Sequence, residues 1–275
     1  HQAKILYHPS CYGQKNKKRC QTNLEFKWSG NIKQNLINTR FLENKPIYFF
    51  ANLFSIQPED FLKQLISKKI TAIAFDYIKD PEELLPIVSA MSEIAGNASI
   101  LIAAEYLSNV RKGKGQLLGG ISGVSPTEVV ILGAGTVGEF AARSALGLGA
   151  AVKVFDNNTS KLRRLQALLG HRVATSVVQP KVLEKALTTA DVVIGAISSS
   201  GGRTPIIVTE DMVSKMKDFS IIVDVSIDKG GCIETCKPTT HQDPTFVIDN
   251  IVHYCVANMP GAVPYTSTLA LTNAT

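Results

Sequence analysis

Long apolar runs are missing from this sequence. No stretch approaches the roughly 18 uninterrupted apolar residues of a membrane span, so no membrane partner is expected. No apolar segment follows a basic start at residues 1–4, and the expected localisation is cytoplasmic. Cysteine is scarce and odd in number, at five, and no spacing among them matches a zinc motif. Cys232 and Cys236 are the one close pair, with three residues between them rather than the two of a redox motif. Reduced, mostly buried thiols and no metal site are the expectation. Charge of one sign is not concentrated either. The net charge of +6 sits in short runs at 15–19, 111–114 and 161–164, without a periodic basic face or a nucleic-acid motif, which excludes nucleic acid as the expected partner. Histidine is limited to five residues; His241 and His253 read as structural, and His1, His8 and His171 as exposed.

What the chain has is core material. Its 275 residues are 45% hydrophobic and 19% charged, enough for one large domain or two ordinary ones. Residues 1–45 show little periodicity. A strand at 46–50, a helix at 58–67 with Phe61, Leu62, Leu65 and Ile66 on one face, and a buried strand at 70–75 then suggest a parallel α/β unit. Residues 89–111 read as one long helix containing Gly96, ending in a glycine-rich stretch. From Glu128 onward strands and helices alternate regularly: strands at 129–132, 152–155, 172–175, 191–195 and 220–225, helices at 137–148, 160–169, 182–189 and 210–216. The strands are near-continuous apolar runs, as a parallel sheet covered on both faces requires. The expected fold is α/β, a Rossmann doubly wound parallel sheet plus a second, incomplete α/β domain.

Gly133-Ala134-Gly135-Thr136-Val137-Gly138 lies between the first of these strands and its helix, and Asp156 ends the second strand. This is the full context of a dinucleotide-binding fingerprint. Gly133 permits the tight turn, Gly135 lets the backbone approach a pyrophosphate, and Gly138 lets the helix pack close to the strand. Free N–H groups at the helix start favour the phosphates. A carboxylate at Asp156 accepts hydrogen bonds from ribose hydroxyls and repels a 2′-phosphate, so NAD is the expected cofactor. Three further segments fall beyond the carboxyl ends of strands: 196–198, 225–228 and 254–260. Asp228, read as ending a strand over 221–227 beside Gly230 and Gly231, either caps a turn or orients a water or amine near the nicotinamide.

Several motifs resemble the alanine dehydrogenase family, which includes the alpha subunit of the proton-translocating transhydrogenase. They are the stretches at 91–96, 118–124, 130–138, 190–196, 223–232, 238–241 and 253–264, and the run at 270–275. The resemblance implies NAD-dependent reversible oxidative deamination of L-alanine to pyruvate and ammonium. It implies cofactor contacts from Ser92, the glycine loop with Thr136 and Val137, Asp156, Lys161, Ile197, Ser198, Ile227, Asp228, Val256, Asn258 and Met259. Asp228 looks like the family's catalytic aspartate, and Asn258 like the amide that contacts substrate.

Two positions depart from the family pattern. Asn52 stands where the family has its catalytic histidine, and an asparagine has no titratable proton for acid–base work. Ser29, two residues after Lys27, stands at the substrate-binding lysine, and the family's N-terminal arginine has no clear counterpart. The resemblance implies a homo-oligomer, hexamer or dimer. It implies a substrate domain over 1–90 with its N-terminal part incomplete, a connecting helix over 91–115, an NAD domain over 116–255 and a return segment over 256–275. The alternatives are a related dehydrogenase for another amino or keto acid, or a catalytically idle NAD-binding homologue.

Overall fold

The computed structural model describes residues 48–51, 59–67, 71–170, 172–198 and 203–274. Ser29, Asn52, Cys11, Cys20, His1, His8 and His171 lie outside the described residues. The chain divides into two compact units, His1–Ile87 and Val88–Thr275.

In the first unit, β1 (Tyr48–Ala51) and β2 (Thr71–Ala74) pair in parallel, in register Tyr48↔Thr71 to Ala51↔Ala74. Helix α1 (Glu59–Ser67) lies between them in sequence. The anticipated strand–helix–strand order is present, with two corrections. Of the four apolar residues assigned to one helix face, Phe61 and Leu65 are buried while Leu62 and Ile66 are exposed, because 3.6-residue spacing brings 61 and 65 together and turns their neighbours outward. The strand read as buried leaves Ile73 exposed and ends at Ala74, where the 3₁₀ turn Phe75–Tyr77 begins.

The second unit is built on a seven-stranded sheet. Its strands are β3 (Glu128–Leu132), β4 (Ala151–Phe155), β5 (Ala174–Ser176), β6 (Val192–Gly195), β7 (Ile221–Asp224), β8 (Thr245–Ile248) and β9 (Ile251–Tyr254). The spatial order is β5-β4-β3-β6-β7-β9-β8. All pairs are parallel except β8 with β9. The chain winds outward through β3, β4 and β5, then returns to β6 on the other side of β3, so the topological switch point lies between β3 and β6. The hairpin of β8 and β9 was not legible as strands in the sequence. Its turn uses Asp249 and Asn250, both at positive φ, residue types that tolerate the left-handed region.

Period-two alternation divides the apolar strand residues between two cores. Val129, Ile131, Val192, Ile194, Ile221 and Val223 face one side, against α2 (Pro86–Leu107), α3 (Thr136–Gly147) and α4 (Thr159–Leu169). Val130, Leu132, Val193 and Ile222 face the other, against α5 (Pro180–Thr189) and α6 (Glu210–Ser214). Both faces are covered, which is why the strands read as continuous apolar runs.

Helix α2 begins three residues earlier than expected and stops at Leu107, where Asn109–Arg111 tightens into a 3₁₀ turn closed by Lys112 in the left-handed region. By length and composition alone it matches a membrane-crossing helix, yet its Ala95, Ile100, Ala103 and Leu107 lie in the core of the second unit. A Cβ on Gly96 would stand 2.5 Å from the carbonyl oxygen of Val137, so α2 crosses α3 in backbone contact. A last helix, α7 (Pro264–Ala274), follows the 3₁₀ turn Met259–Ala262.

Candidate active site

Parallel pairing places the carboxyl ends of four neighbouring strands in one row. Leu132 is level with Gly195, Gly195 with Asp224, and Val223 with Tyr254. The loops that follow these strands begin at Gly133, Ala196, Val225 and Cys255. With the first turn of α3, they carry every site residue expected from the sequence in this unit except Ser92, Asp156 and Lys161.

The glycine loop fills the switch point. A Cβ on Gly133, whose φ is +112°, would lie 2.4 Å from the carbonyl oxygen of Ala196, so the loops after β3 and β6 touch through their backbones. Gly138 is equally constrained: its Cβ would fall 1.9 Å from the Gly133 carbonyl oxygen. At Gly135 no atom of the described residues, its two chain neighbours aside, lies within 4 Å of an added Cβ. Packing therefore requires glycine at 133 and 138, while at 135 the protein itself makes no such demand. Gly135 is also the N-cap of α3 and no side chain caps that helix, which leaves the first-turn N–H groups of Thr136 and Val137 available to an anionic ligand. A cradle open at Gly135 and walled at Gly133 and Gly138 fits the pyrophosphate of a dinucleotide.

Asp156 is buried just beyond β4. Its Oδ2 accepts from the Ala134 N–H at 2.8 Å and its Oδ1 from the Asn158 N–H at 2.7 Å. The carboxylate thus holds the glycine loop to the end of the next strand, a task that spacing did not reveal. Each oxygen retains a further lone pair for a ribose hydroxyl. Lys161 is exposed in the first turn of α4, behind the N-cap Asn158, whose Oδ1 accepts from the Ser160 and Lys161 N–H groups. Ser92 is half-buried one helical turn before Gly96 on α2, on the same face that meets the start of α3.

After β6, Ile197 is half-buried and Ser198 exposed. The Ile197 carbonyl accepts from the Ser226 hydroxyl at 2.8 Å, and the Ser198 hydroxyl accepts from Lys229 Nζ at 3.3 Å, so the second and third loops are tied together. In the third loop, β7 ends at Asp224 rather than continuing to residue 227. Ile227–Lys229 is a 3₁₀ turn with Ile227 buried and Asp228 exposed. Asp228 therefore projects from a turn beyond the strand.

In the fourth loop, Val256 and Met259 are buried in the same apolar cluster as Ala134 and Ala196. Asn258 is exposed, with left-handed backbone at φ +60°, and its carbonyl faces His241 Nε2 at 3.4 Å. His253 is fully buried, stacked on Phe246 and hydrogen-bonded to Thr235 Oγ1 and the Ile251 carbonyl. Burial lowers its pKa, outweighing the Ile251 carbonyl, and it is structural, as its surroundings in the sequence suggested.

Asp224 was missed by sequence reasoning. It has no solvent exposure, and burial pushes its carboxyl up to about 6 against the N–H groups of Cys232, Ser226 and Ile233 and the Cys236 thiol, which favour the charged form. The available signal was an acid closing an apolar strand, overshadowed by Asp228 four residues later. Cys232 and Cys255 are buried and Cys236 half-buried, all as free thiols. Burial raises the Cys232 thiol, and the Cys255 thiol together with burial raises that of Cys236, which keeps both in the unreactive protonated form.

Comparison with known proteins agrees with this arrangement. Residues 99–275 match the family model for the alanine dehydrogenase/PNT C-terminal domain. The chain is 45% identical over 241 residues to alanine dehydrogenase 2 of Staphylococcus aureus, covering 85% of this chain and 65% of that protein. It is 46% identical over 226 residues to the alanine dehydrogenase of Halomonas elongata, covering 82% and 61%. A solved L-alanine dehydrogenase superposes with a TM-score of 0.79 at 43% identity, over 84% of this chain and 64% of that one. The transhydrogenase of Sinorhizobium meliloti shares the fold, with a TM-score of 0.69 at 18% identity over 82% of this chain and 66% of that one. The chain spans less than two thirds of the length of the curated relatives it matches. With a family model matched over more than half its residues, on the glycine loop and the three loops beside it, the chain belongs to the alanine dehydrogenase/PNT family.

Proposed function

We propose that this chain carries the cofactor half of an NAD-dependent oxidoreductase that deaminates L-alanine reversibly to pyruvate and ammonium. The observation that carries the reading is the row of four loops at the switch point, with an open glycine cradle in the first and Asp228 and Asn258 in the third and fourth. The identity to alanine dehydrogenases supports L-alanine as the substrate.

The first-turn N–H groups of α3 bind the pyrophosphate beside Gly135, and Asp156 accepts from the adenosine ribose while disfavouring a 2′-phosphate. Lys161 neighbours the adenosine, and Ile197 and Ser198 line the groove. Ser92, Ile227, Val256 and Met259 surround the nicotinamide end. NAD held there supplies the hydride acceptor for the Cα–H of alanine. Asp228 orients the water that attacks the oxidised carbon, or ammonia in the reverse direction, and Asn258 holds substrate against the ring.

The first unit, over about residues 1–90, contributes the substrate side, 91–115 connects, 116–255 binds NAD, and 256–275 leads back toward the substrate domain. The protein acts in the cytoplasm as a homo-oligomer, hexamer or dimer, without nucleic-acid or membrane partners. Light scattering of the purified protein checks the assembly.

The test is NADH formation from NAD and L-alanine at alkaline pH, with NADH binding followed separately by fluorescence. Binding without turnover on alanine sinks the substrate assignment. Asn52 and Ser29 favour a second reading, because neither supplies the proton or the cation of the family residues at those positions. On that reading a different amino or keto acid is the substrate. A substrate panel with turnover on another acid selects it, and binding with no turnover on any leaves an idle NAD-binding homologue.

A further inference from the structure

We infer that Asp224 is the positioning residue for Asp228: its buried carboxylate closes the loop that presents the catalytic aspartate. The inference rests on the dehydrogenase reading above, in which Asp228 faces the reacting carbon.

The loop after β7 is a closed frame around one side chain. Asp224 Oδ1 accepts from the Ser226 N–H at 2.9 Å, and Oδ2 from the Cys232 N–H at 3.0 Å. The Ile233 backbone also favours the charged form of this carboxylate. The two ends of the 226–232 segment are thus pinned to one group, with Asp228 between them. Inside the frame, the Lys229 and Gly231 N–H groups donate to the Ser226 carbonyl, and the Gly230 N–H donates to the Ile227 carbonyl. These bonds form the 3₁₀ turn that carries Asp228.

Glycine backbone packs closely around the carboxylate. A Cβ on Gly195 would lie 2.7 Å from Oδ1, and one on Gly231 would lie 2.8 Å from Oδ2. Gly230 and Gly231 have φ of +96° and +75°, the left-handed backbone needed to return the chain to the carboxylate. The frame is tied to the next loop of the site by the Ser226 hydroxyl on the Ile197 carbonyl. Without the carboxylate, the inward N–H groups of Ser226 and Cys232 lose their acceptor, and buried donors without partners drive the loop to rearrange. Rearrangement moves Asp228, which is exposed and rides on the 3₁₀ turn that the frame carries.

The experiment is a double-mutant cycle on the full chain. Asp224→Asn, which keeps the size but turns donors or a weaker acceptor toward the N–H groups, is expected to lower kcat about ten- to a hundredfold. KM for alanine changes less than kcat, and NADH binding by fluorescence is unchanged. Asp228→Asn lowers kcat by itself, and the double variant is expected to be no slower than Asp228→Asn alone, because Asp224 acts through Asp228. Asp191→Asn, at the amino end of β6 and so at the opposite end of the strands from Asp228, is the control whose effect multiplies with Asp228→Asn. Multiplying effects for Asp224→Asn, or wild-type kcat in that variant, overturn the inference.

If Asp224→Asn does not fold, Gly231→Ala crowds the same carboxylate and runs the same cycle. If the wild-type chain forms no NADH from any acid, the alanine reading fails on its own. The frame is then read by hydrogen exchange: loss of amide protection in Asp224→Asn confined to 225–232, with α3 unchanged, supports it, and unchanged protection overturns it.

Discussion

The Gly133 carbonyl oxygen lies 1.9 Å from the place a Cβ would take on Gly138, while an added Cβ at Gly135, between them, meets nothing within 4 Å among the described residues beyond its chain neighbours. Two glycines of one motif are therefore required by packing, and the third is not.

Gly138→Ala is expected to destabilise the protein by about 1–3 kcal/mol or more, because the clash is with backbone that cannot turn aside. Gly135→Ala should stay within about 1 kcal/mol of wild type yet weaken NADH binding by about tenfold or more, some 1.4 kcal/mol. Thermal unfolding beside NADH fluorescence separates the two, and equal losses of stability contradict the assignment.

Asp228→Asn removes a carboxylate that no other side chain in the row of loops replaces. NADH formation should fall about a hundredfold or more while NADH binding persists, because the cofactor contacts lie chiefly in the other loops. Steady-state kinetics with a binding titration checks this, and near-normal turnover returns Asp228 to the role of a turn residue.

Asp191 is buried at the start of β6. Its Oδ2 accepts from the Glu128 N–H, and its Oδ1 meets Lys114 and Lys217, each at 3.2 Å. Burial pushes its carboxyl up, but the Glu128 N–H and the two ammonium groups outweigh that and hold it below 3.8. A lowered folded pKa stabilises the protein above the unfolded value, and this stabilisation is lost as pH falls below about 3.8. Asp191→Asn should cost about 1.5–3 kcal/mol at neutral pH, and less in acid. Denaturant unfolding at several pH values reads the difference.

Asp224 has the opposite sign. Its folded pKa of about 6 lies above 3.8, so the folded state holds its proton longer, and this group's contribution to stability decreases as pH rises from about 4 to 6. In the same unfolding series, wild type minus Asp224→Asn should decline across that window and level off above it. A difference that rises there contradicts the burial of the charge.

His253 is neutral in the fold, with its pKa lowered below 6.5, so its contribution is full above about 6.5 and lost as pH falls. His253→Gln should flatten the stability of the chain between about pH 7 and 5. It should leave NADH binding intact, since the ring meets Thr235, Ile251 and Phe246 rather than the row of loops.

Apolar runs separated by helical periodicity determined, from the sequence alone, the order of elements from Glu128 to Val225, and the glycine spacing with Asp156 determined where a dinucleotide fits. Both are local patterns: alternation, helix period and backbone sterics act within a few residues. The β8–β9 hairpin was not read from the sequence because its strands are only four residues each and no helix separates them, so they fall outside the strand–helix alternation that runs from Glu128. The end of β7 at Asp224 was equally hidden, since the apolar pattern continues through Val225 and Ile227 although the ladder stops.

Only the tertiary structure decided which polar groups meet. Strand order brought Gly133 to Ala196 and set Asp224 facing Cys232, contacts across 63 and eight residues that no spacing rule reaches. The same closure divided two aspartates of similar appearance. Asp224 was folded inward, where its carboxylate ties a loop, and Asp228 was left exposed, because one ends a covered strand and the other rides on the turn beyond it.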